Sequence, residues 1–261
     1  MDEETLDGGN LNQVVRVGDT VRRATGVWTP AVHALLEHLR DCGFHECPRV
    51  IGIDDEGREI LSYLPGKTVG SRKPWPEWTR SERTLTDVAR WLGRYHRAVA
   101  DFVQPEDTRW RLTEARAAPG EIICHNDVAP YNVAWGQMGM VGVFDWDVAG
   151  PGTRELDLAF AAWNFVPLHA EAQCGELGWL TPVDRASRLR RFVGAYGLED
   201  RRGFVELIAV RMQSSIDRIQ GAADRGDPAF RALVDAGHLE PVRASKERLM
   251  RDATVLQRAI E

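Results

Sequence analysis

His125-Asn126-Asp127-Val128-Ala129-Pro130-Tyr131-Asn132, followed by Phe144-Asp145-Trp146-Asp147, is the stretch whose reading decides the fold. Asp127 and Asn132 bracket a four-residue loop, and Asp145 comes 13 positions after Asn132. Ile122-Ile123-Cys124 is a short apolar strand that delivers the loop. Residues 133–135 and 140–144 read as two strands pairing around Gly136-Gln137-Met138-Gly139, a hairpin that returns Asp145 to the side of Asn132. The spacing therefore predicts that two carboxylates and an amide, distant along the chain, meet at one place. Asp and Asn are ordinary turn residues, so any one alone carries no weight. Several at fixed spacing, each beside a short apolar strand, do.

Upstream, residues 13–17 and 20–24 read as strands joined by Gly18-Asp19. Thr29 is expected to cap a helix over 30–42 with Pro30 in its first position; Val32, Leu35, Leu36 and Leu39 share one face, and Gly43 closes it. Residues 49–53 and 59–64 read as further strands around Asp54-Asp55-Glu56-Gly57, before Pro65-Gly66. Downstream, Thr79-x-x-Glu82 reads as a capping box. Leu85, Val88, Leu92, Tyr95 and Val99 then mark a long amphipathic helix, with His96 as a hydrogen-bonded core histidine. Beyond Gly152 the chain is mostly helical, with one stripe at Phe204, Ile208, Met212, Ser215 and Ile219 and a last helix carrying Leu249 and Leu256.

Composition narrows the class. A chain of 261 residues, 43% hydrophobic and 28% charged, has ample core for one large or two unequal domains. No run of eighteen apolar residues occurs, and the start Met1-Asp2-Glu3-Glu4 is acidic rather than basic, which argues against a membrane span and a signal peptide. Four scattered cysteines point to a reduced compartment, the cytoplasm. Cys42, His45 and Cys47 lack a nearby fourth ligand for zinc and read as a helix-end turn. Net charge is −6 with no basic stripe, against nucleic-acid binding.

At His125…Asn132 and Asp145-Trp146-Asp147 the chain resembles the aminoglycoside phosphotransferase family, whose fold is shared with choline kinases and, more distantly, protein kinases. Members show H-G-D-x-x-x-x-N followed by D-W-D or D-W-E, and Gly152…Asp157-Leu158-Ala159 is similar to the family's G-x-x-x-x-D-L-A. The sharp part covers residues 122–159; the N-terminal third matches by layout. The resemblance implies an α+β, protein-kinase-like two-lobed fold. A small β-rich nucleotide-binding lobe with one helix spans 1–64, and a larger, mainly helical catalytic and acceptor-binding lobe spans 65–261.

It also implies Mg²⁺-dependent transfer of the γ-phosphate of ATP or GTP to a hydroxyl of a small molecule. Asp127 resembles the general base or hydroxyl-orienting group, and Asn132 and Asp145 the two magnesium ligands, hard oxygen donors for a hard cation. His125 resembles a loop brace, Asp147 a group that either steadies the loop or touches the metal's outer shell, and Asp157 a structural carboxylate. A kinase-type site wants a cation on its third strand, but no lysine precedes Lys67, and Arg22 and Arg23 occupy the place. Period-two alternation puts Arg23 on the face of Val21, so Arg23 is expected on the phosphates and Arg22 in solvent. Glu37, on the helix, is assigned no role in bracing that cation. Gly8-Gly9-Asn10 fits either a phosphate-covering flap or a plain hairpin turn. Ser62, Tyr63 and Leu64 resemble the hinge that bonds the adenine edge.

No A-P-E segment follows Asp145, which argues against a protein kinase. The acceptor stays open: aminoglycoside, choline-like, sugar, macrolide or peptide-antibiotic hydroxyls all fit the family. A different class is a non-catalytic binding or immunity protein that sequesters a ligand. Arginine in place of lysine favours it, and intact Asp127, Asn132 and Asp145 oppose it. An ATP-binding regulatory subunit is a third reading.

Overall fold

The computed structural model describes residues 3–6, 14–70, 72–180 and 182–261. Gly8, Gly9 and Asn10 lie outside the described residues. The chain forms two compact units, Met1–Arg72 with Arg94–Arg154, and Lys73–Gly93 with Glu155–Glu261.

In the first unit, β1 (Glu4–Thr5), β2 (Val15–Val17), β3 (Thr20–Ala24), β4 (Val50–Ile53) and β5 (Arg58–Ser62) form an antiparallel sheet in the order β1-β2-β3-β5-β4. Gly18, at φ +61°, makes the tight turn between β2 and β3. The β3–β5 register sets Val21 opposite Leu61 and Arg23 opposite Glu59. Helix α1 (Thr29–Asp41) follows β3 and buries Ala31, Val32, Leu35, Leu36 and Leu39. The capping role expected of Thr29 is corrected. The helix begins at Thr29 itself, and its hydroxyl accepts the Gly26 N–H at 2.9 Å, closing the preceding turn instead.

Strand β6 (Ile122–Cys124) pairs antiparallel with β9 (Gly150–Gly152). β7 (Val133–Gly136) and β8 (Gly139–Val143) form the expected hairpin, its loop tightened to Gln137-Met138. Two glycines let other backbone close in on this hairpin. A Cβ on Gly142 would stand 2.6 Å from the Glu46 carbonyl oxygen, and one on Gly66 2.9 Å from the Trp135 amide nitrogen. Lys67 and Trp135 exchange both backbone hydrogen bonds, at 2.8 and 2.9 Å, so the segment after β5 is fastened to β7.

Helix α2 (Glu82–Ala98) has its residues divided between the two units. Its cap is Ser81, whose hydroxyl accepts the Thr84 N–H at 3.0 Å. Thr79, expected to cap, is buried in a preceding 3₁₀ turn (Glu77–Arg80) and donates to the Pro76 carbonyl. Near the helix end the buried Tyr95 hydroxyl donates to the Ile123 carbonyl at 2.6 Å, anchoring β6, and His96 is 1% exposed.

The second unit is helical: α3 (Arg154–Phe165), α4 (Glu171–Glu176), α5 (Arg185–Tyr196), α6 (Phe204–Asp224), α7 (Pro228–Asp235) and α8 (Leu239–Ile260). Helix α6 buries Phe204, Ile208, Met212 and Ser215 against α7 and α8, and Leu249 and Leu256 of α8 lie inside as expected. Ile219 is only half-buried. Asp157 is fully buried in the first turn of α3. The α+β class expected from the sequence holds. Among the described residues no helix is long and apolar enough to cross a membrane.

Candidate active site

The loop after β6 is held from inside. His125 is fully buried; its Nε2 lies 3.2 Å from the Phe144 carbonyl, and its Nδ1 accepts the Asp127 N–H at 3.3 Å. A carbonyl can only accept, so the proton sits on Nε2 and Nδ1 is bare, one tautomer serving both bonds. Asn126 adopts a left-handed backbone, φ +67°, and donates its side-chain amide to the Val148 and Gly150 carbonyls. Asparagine is among the few residues that tolerate this region. Here its own amide bonds hold it there.

A single 3₁₀ turn, Pro130–Asn132, then points Asn132 back at Asp127. Its Nδ2 donates to Asp127 Oδ2 at 2.7 Å and to the Asp127 carbonyl at 3.0 Å. The Tyr131 hydroxyl donates to Asp127 Oδ1 at 2.9 Å. The β7–β8 ladder extends one step further, with the Phe144 N–H on the Asn132 carbonyl at 2.9 Å, so Asp145 follows directly beside Asn132. Asp145 also takes a left-handed backbone, φ +61°, and its side chain is 48% exposed. Trp146 is buried under the turn, donating its indole N–H to the Val143 carbonyl and packing 4.4 Å from the His125 ring.

Arg23 is the hub between the sheet and this turn. It is 8% exposed, and its three nitrogens each face a carboxylate. Nε lies 2.5 Å from Glu59, Nη1 3.3 Å from Asp145 and Nη2 2.7 Å from Asp147. Burial alone would loosen its proton, but Asp147, Asp145 and Glu59 together hold it more tightly than in water. Arg22, by contrast, turns to Asp54 at 3.8 Å and to the Thr20 hydroxyl. Alternation thus chose the inward arginine, although Arg22 is held by partners rather than standing in solvent.

Glu59, His33 and Arg111, which complete this hub, were missed in a linear reading. Glu59 is 1% exposed and accepts both Arg23 and, at 2.8 Å, the Nε2 of His33 from α1. A lone acid in an apolar strand was the available hint. Glu37, left without a role, is exposed. Arg111, from the long segment before β6, lies 3.3 Å from Asp147 and stacks 4.4 Å over the Trp28 ring. Asp147 is buried, which pushes its carboxyl above the usual range against the pull of Arg23 and Arg111. Trp28 also hydrogen-bonds it.

The expected hinge ends β5. The Ser62 N–H bonds the Arg49 carbonyl and the Tyr63 N–H the Asp19 carbonyl, each at 2.9 Å. Those two N–H groups are therefore committed to the protein, and the Leu64 side chain meets the β7–β8 hairpin near Gly142. Cys47 is buried with its thiol directed at the Phe44 carbonyl, and burial, with Glu46, pushes that thiol up to about 12.

Comparison with known proteins matches the phosphotransferase enzyme family (APH) over residues 2–122 and 110–175. A trifolitoxin immunity protein of Rhizobium leguminosarum bv. trifolii is 35% identical over 229 residues, 85% of each chain. Among solved structures, the GDP complex of aminoglycoside 2'-phosphotransferase-IIIa superposes with a TM-score of 0.61 at 14% identity, covering 95% of this chain and 93% of that one. The amicoumacin kinase hAmiN with AMP-PNP, Ca²⁺ and Ami gives 0.63 at 12%, covering 95% and 88%. At such identities these structures speak for the fold, which is the kinase-like one.

Proposed function

Because this chain belongs to the phosphotransferase enzyme family, we propose that it transfers the γ-phosphate of ATP or GTP to a hydroxyl of a small molecule. One observation carries the reading. Hydrogen bonds run from the Asp127 carboxylate to the Asn132 amide, and from the Asn132 carbonyl to the Phe144 N–H beside Asp145.

Asp127 orients the acceptor hydroxyl and takes its proton on a carboxylate oxygen late in the transfer. Asn132 and Asp145 are the residues that would hold Mg²⁺. Their fit to it is good: the Asn132 nitrogen is spent on Asp127, so the side-chain oxygen is the atom turned elsewhere, and Asp145 offers a half-exposed carboxylate. When bound, the ion supplies positive charge to the triphosphate. Arg23 meets the phosphates through Nη1, the nitrogen with the longest of its three carboxylate contacts. Residues 1–64 act as the nucleotide lobe and 65–261 as the catalytic and acceptor lobe. With two hinge N–H groups already bonded, the adenine edge falls to the carbonyls of Ser62 and Tyr63 and to the backbone of Leu64. The reading puts the protein in the cytoplasm.

The likeness to an immunity protein favours an antimicrobial compound as acceptor. It equally supports a second reading, in which the chain binds that compound without phosphorylating it. Incubation with Mg²⁺, γ-labelled ATP or GTP and a panel of hydroxylated antibiotics and metabolites separates the two, with products read by mass spectrometry. Asp127→Asn is expected to cut turnover about 100-fold or more while leaving nucleotide affinity intact. A variant as fast as wild type removes Asp127 from the chemistry, and binding without any phosphorylated product favours sequestration.

A further inference from the structure

The Asp127 carboxylate has a protein donor on each oxygen, and the two donors differ in how firmly they are fixed. Asn132, on Oδ2, is 4% exposed and hydrogen-bonded into the loop backbone. Tyr131, on Oδ1, is 38% exposed and so the less enclosed of the two donors. Oδ1 is therefore the oxygen whose donor can leave. Pro130 begins the 3₁₀ turn, and the Tyr131 hydroxyl in that turn reaches back to a carboxylate four residues earlier. The group it presents, an O–H on a carbon skeleton, is the same kind of donor that an alcohol acceptor would present to a general base.

We propose that Tyr131 is a positioning residue that guards Asp127: without an acceptor its hydroxyl holds Oδ1 and denies that oxygen to water, and an acceptor hydroxyl takes its place. The inference rests on the phosphotransferase reading above. A phosphotransferase whose base is open to solvent hydrolyses its nucleotide, because water is a small hydroxyl that needs no recognition. A tethered phenol competes with water at one oxygen and gives way to an acceptor bound by many contacts. Selection for the acceptor then lies partly in the loop itself.

The test measures phosphate release from magnesium–ATP and magnesium–GTP with no acceptor present, for wild type, Tyr131→Phe, Asp127→Asn and the double variant. Tyr131→Phe keeps the ring and removes only the donor. It is expected to raise phosphate release about 10-fold, the factor matching one hydrogen bond to a charged group. The nucleotide KM should not move, and the gain should vanish in the double variant. A merely structural tyrosine gives no gain, since damage to the loop slows turnover. Release no faster than wild type, or a gain that survives Asp127→Asn, overturns the proposal. So does phosphate found on Tyr131 itself by mass spectrometry, which makes the hydroxyl an acceptor rather than a guard. Calorimetric titration of wild type with magnesium–AMP-PNP and with magnesium–GMP-PNP keeps the two readings apart. No binding sinks the phosphotransferase reading together with the guard, whereas binding with an unchanged Tyr131→Phe rate sinks the guard alone.

Discussion

Replacing Glu59 by leucine removes the acceptor that joins β5, β3 and α1. The Glu59 carboxylate is 1% exposed and contacts Arg23 Nε at 2.5 Å and His33 Nε2 at 2.8 Å. Leucine fills much of the space but accepts nothing, so Arg23 Nε and His33 both lose their partner in the interior. Breaking a buried ion pair from one side costs about 3–5 kcal/mol. Arg23 keeps Asp145 and Asp147, which brings the loss to the lower end, about 3 kcal/mol. Glu59→Gln is gentler. Its amide oxygen still accepts from Arg23, and its NH₂ can donate to His33 Nε2 once the imidazole moves its proton to Nδ1, so the charge is the main loss, at about 1 kcal/mol. At roughly 2–4 °C per kcal/mol for a chain of this size, the leucine variant should melt about 6–12 °C lower and the glutamine variant about 2–4 °C lower. Thermal and urea unfolding of the three proteins measure this. A leucine variant within about 1 kcal/mol of wild type, or a glutamine variant as damaged as the leucine one, refutes the bracing role assigned to Glu59.

Two further outcomes can be read from single substitutions. His169 is 2% exposed and accepts the Trp163 indole N–H; burial, then Arg185, pushes its pKa from 6.5 down to about 3. Between those values the unfolded chain binds a proton that the folded one refuses, so this stability is whole above pH 6.5 and drains away as pH falls. At pH 5.5 the loss is about 1.4 kcal/mol, and His169→Asn, which keeps an acceptor for Trp163, should flatten that part of the urea-unfolding pH profile; an unchanged profile counts against it. Gly142→Ala sets a Cβ 2.6 Å from the Glu46 carbonyl oxygen and should cost about 1–3 kcal/mol in unfolding experiments, a cost that would be absent if β8 could simply step aside.

What could be read along the chain follows the range of the interactions. The 125–132 loop and the β7–β8 hairpin depend on neighbours within about twenty residues, and their spacing alone brought Asp127, Asn132 and Asp145 into one reading. The inward turn of Arg23 is also local, because alternation along five residues of β3 decides it. Its brace is not local. Glu59 reaches Arg23 through the β3–β5 register, across 36 positions that include all of α1, and period-two logic within one strand says nothing about which strand lies opposite. Arg111 was invisible for a different reason, since it comes from an irregular segment where no period marks a face. The caps at Thr29 and Thr79 failed by one or two residues. In both places a hydroxyl next to the helix start found a closer backbone partner in the preceding turn.

In protein kinases the phosphate-binding cation is braced from a mobile helix, and swinging that helix away switches the enzyme off. Here Arg23 and Glu59 face each other on one rung of the β3–β5 ladder, with His33 of α1 only steadying the acid from behind. Displacing α1 would strip away the outer support and leave the arginine and its acid side by side, because parting them means tearing two hydrogen-bonded strands. The hold on Arg23 is therefore set by strand pairing and not by where a helix happens to lie.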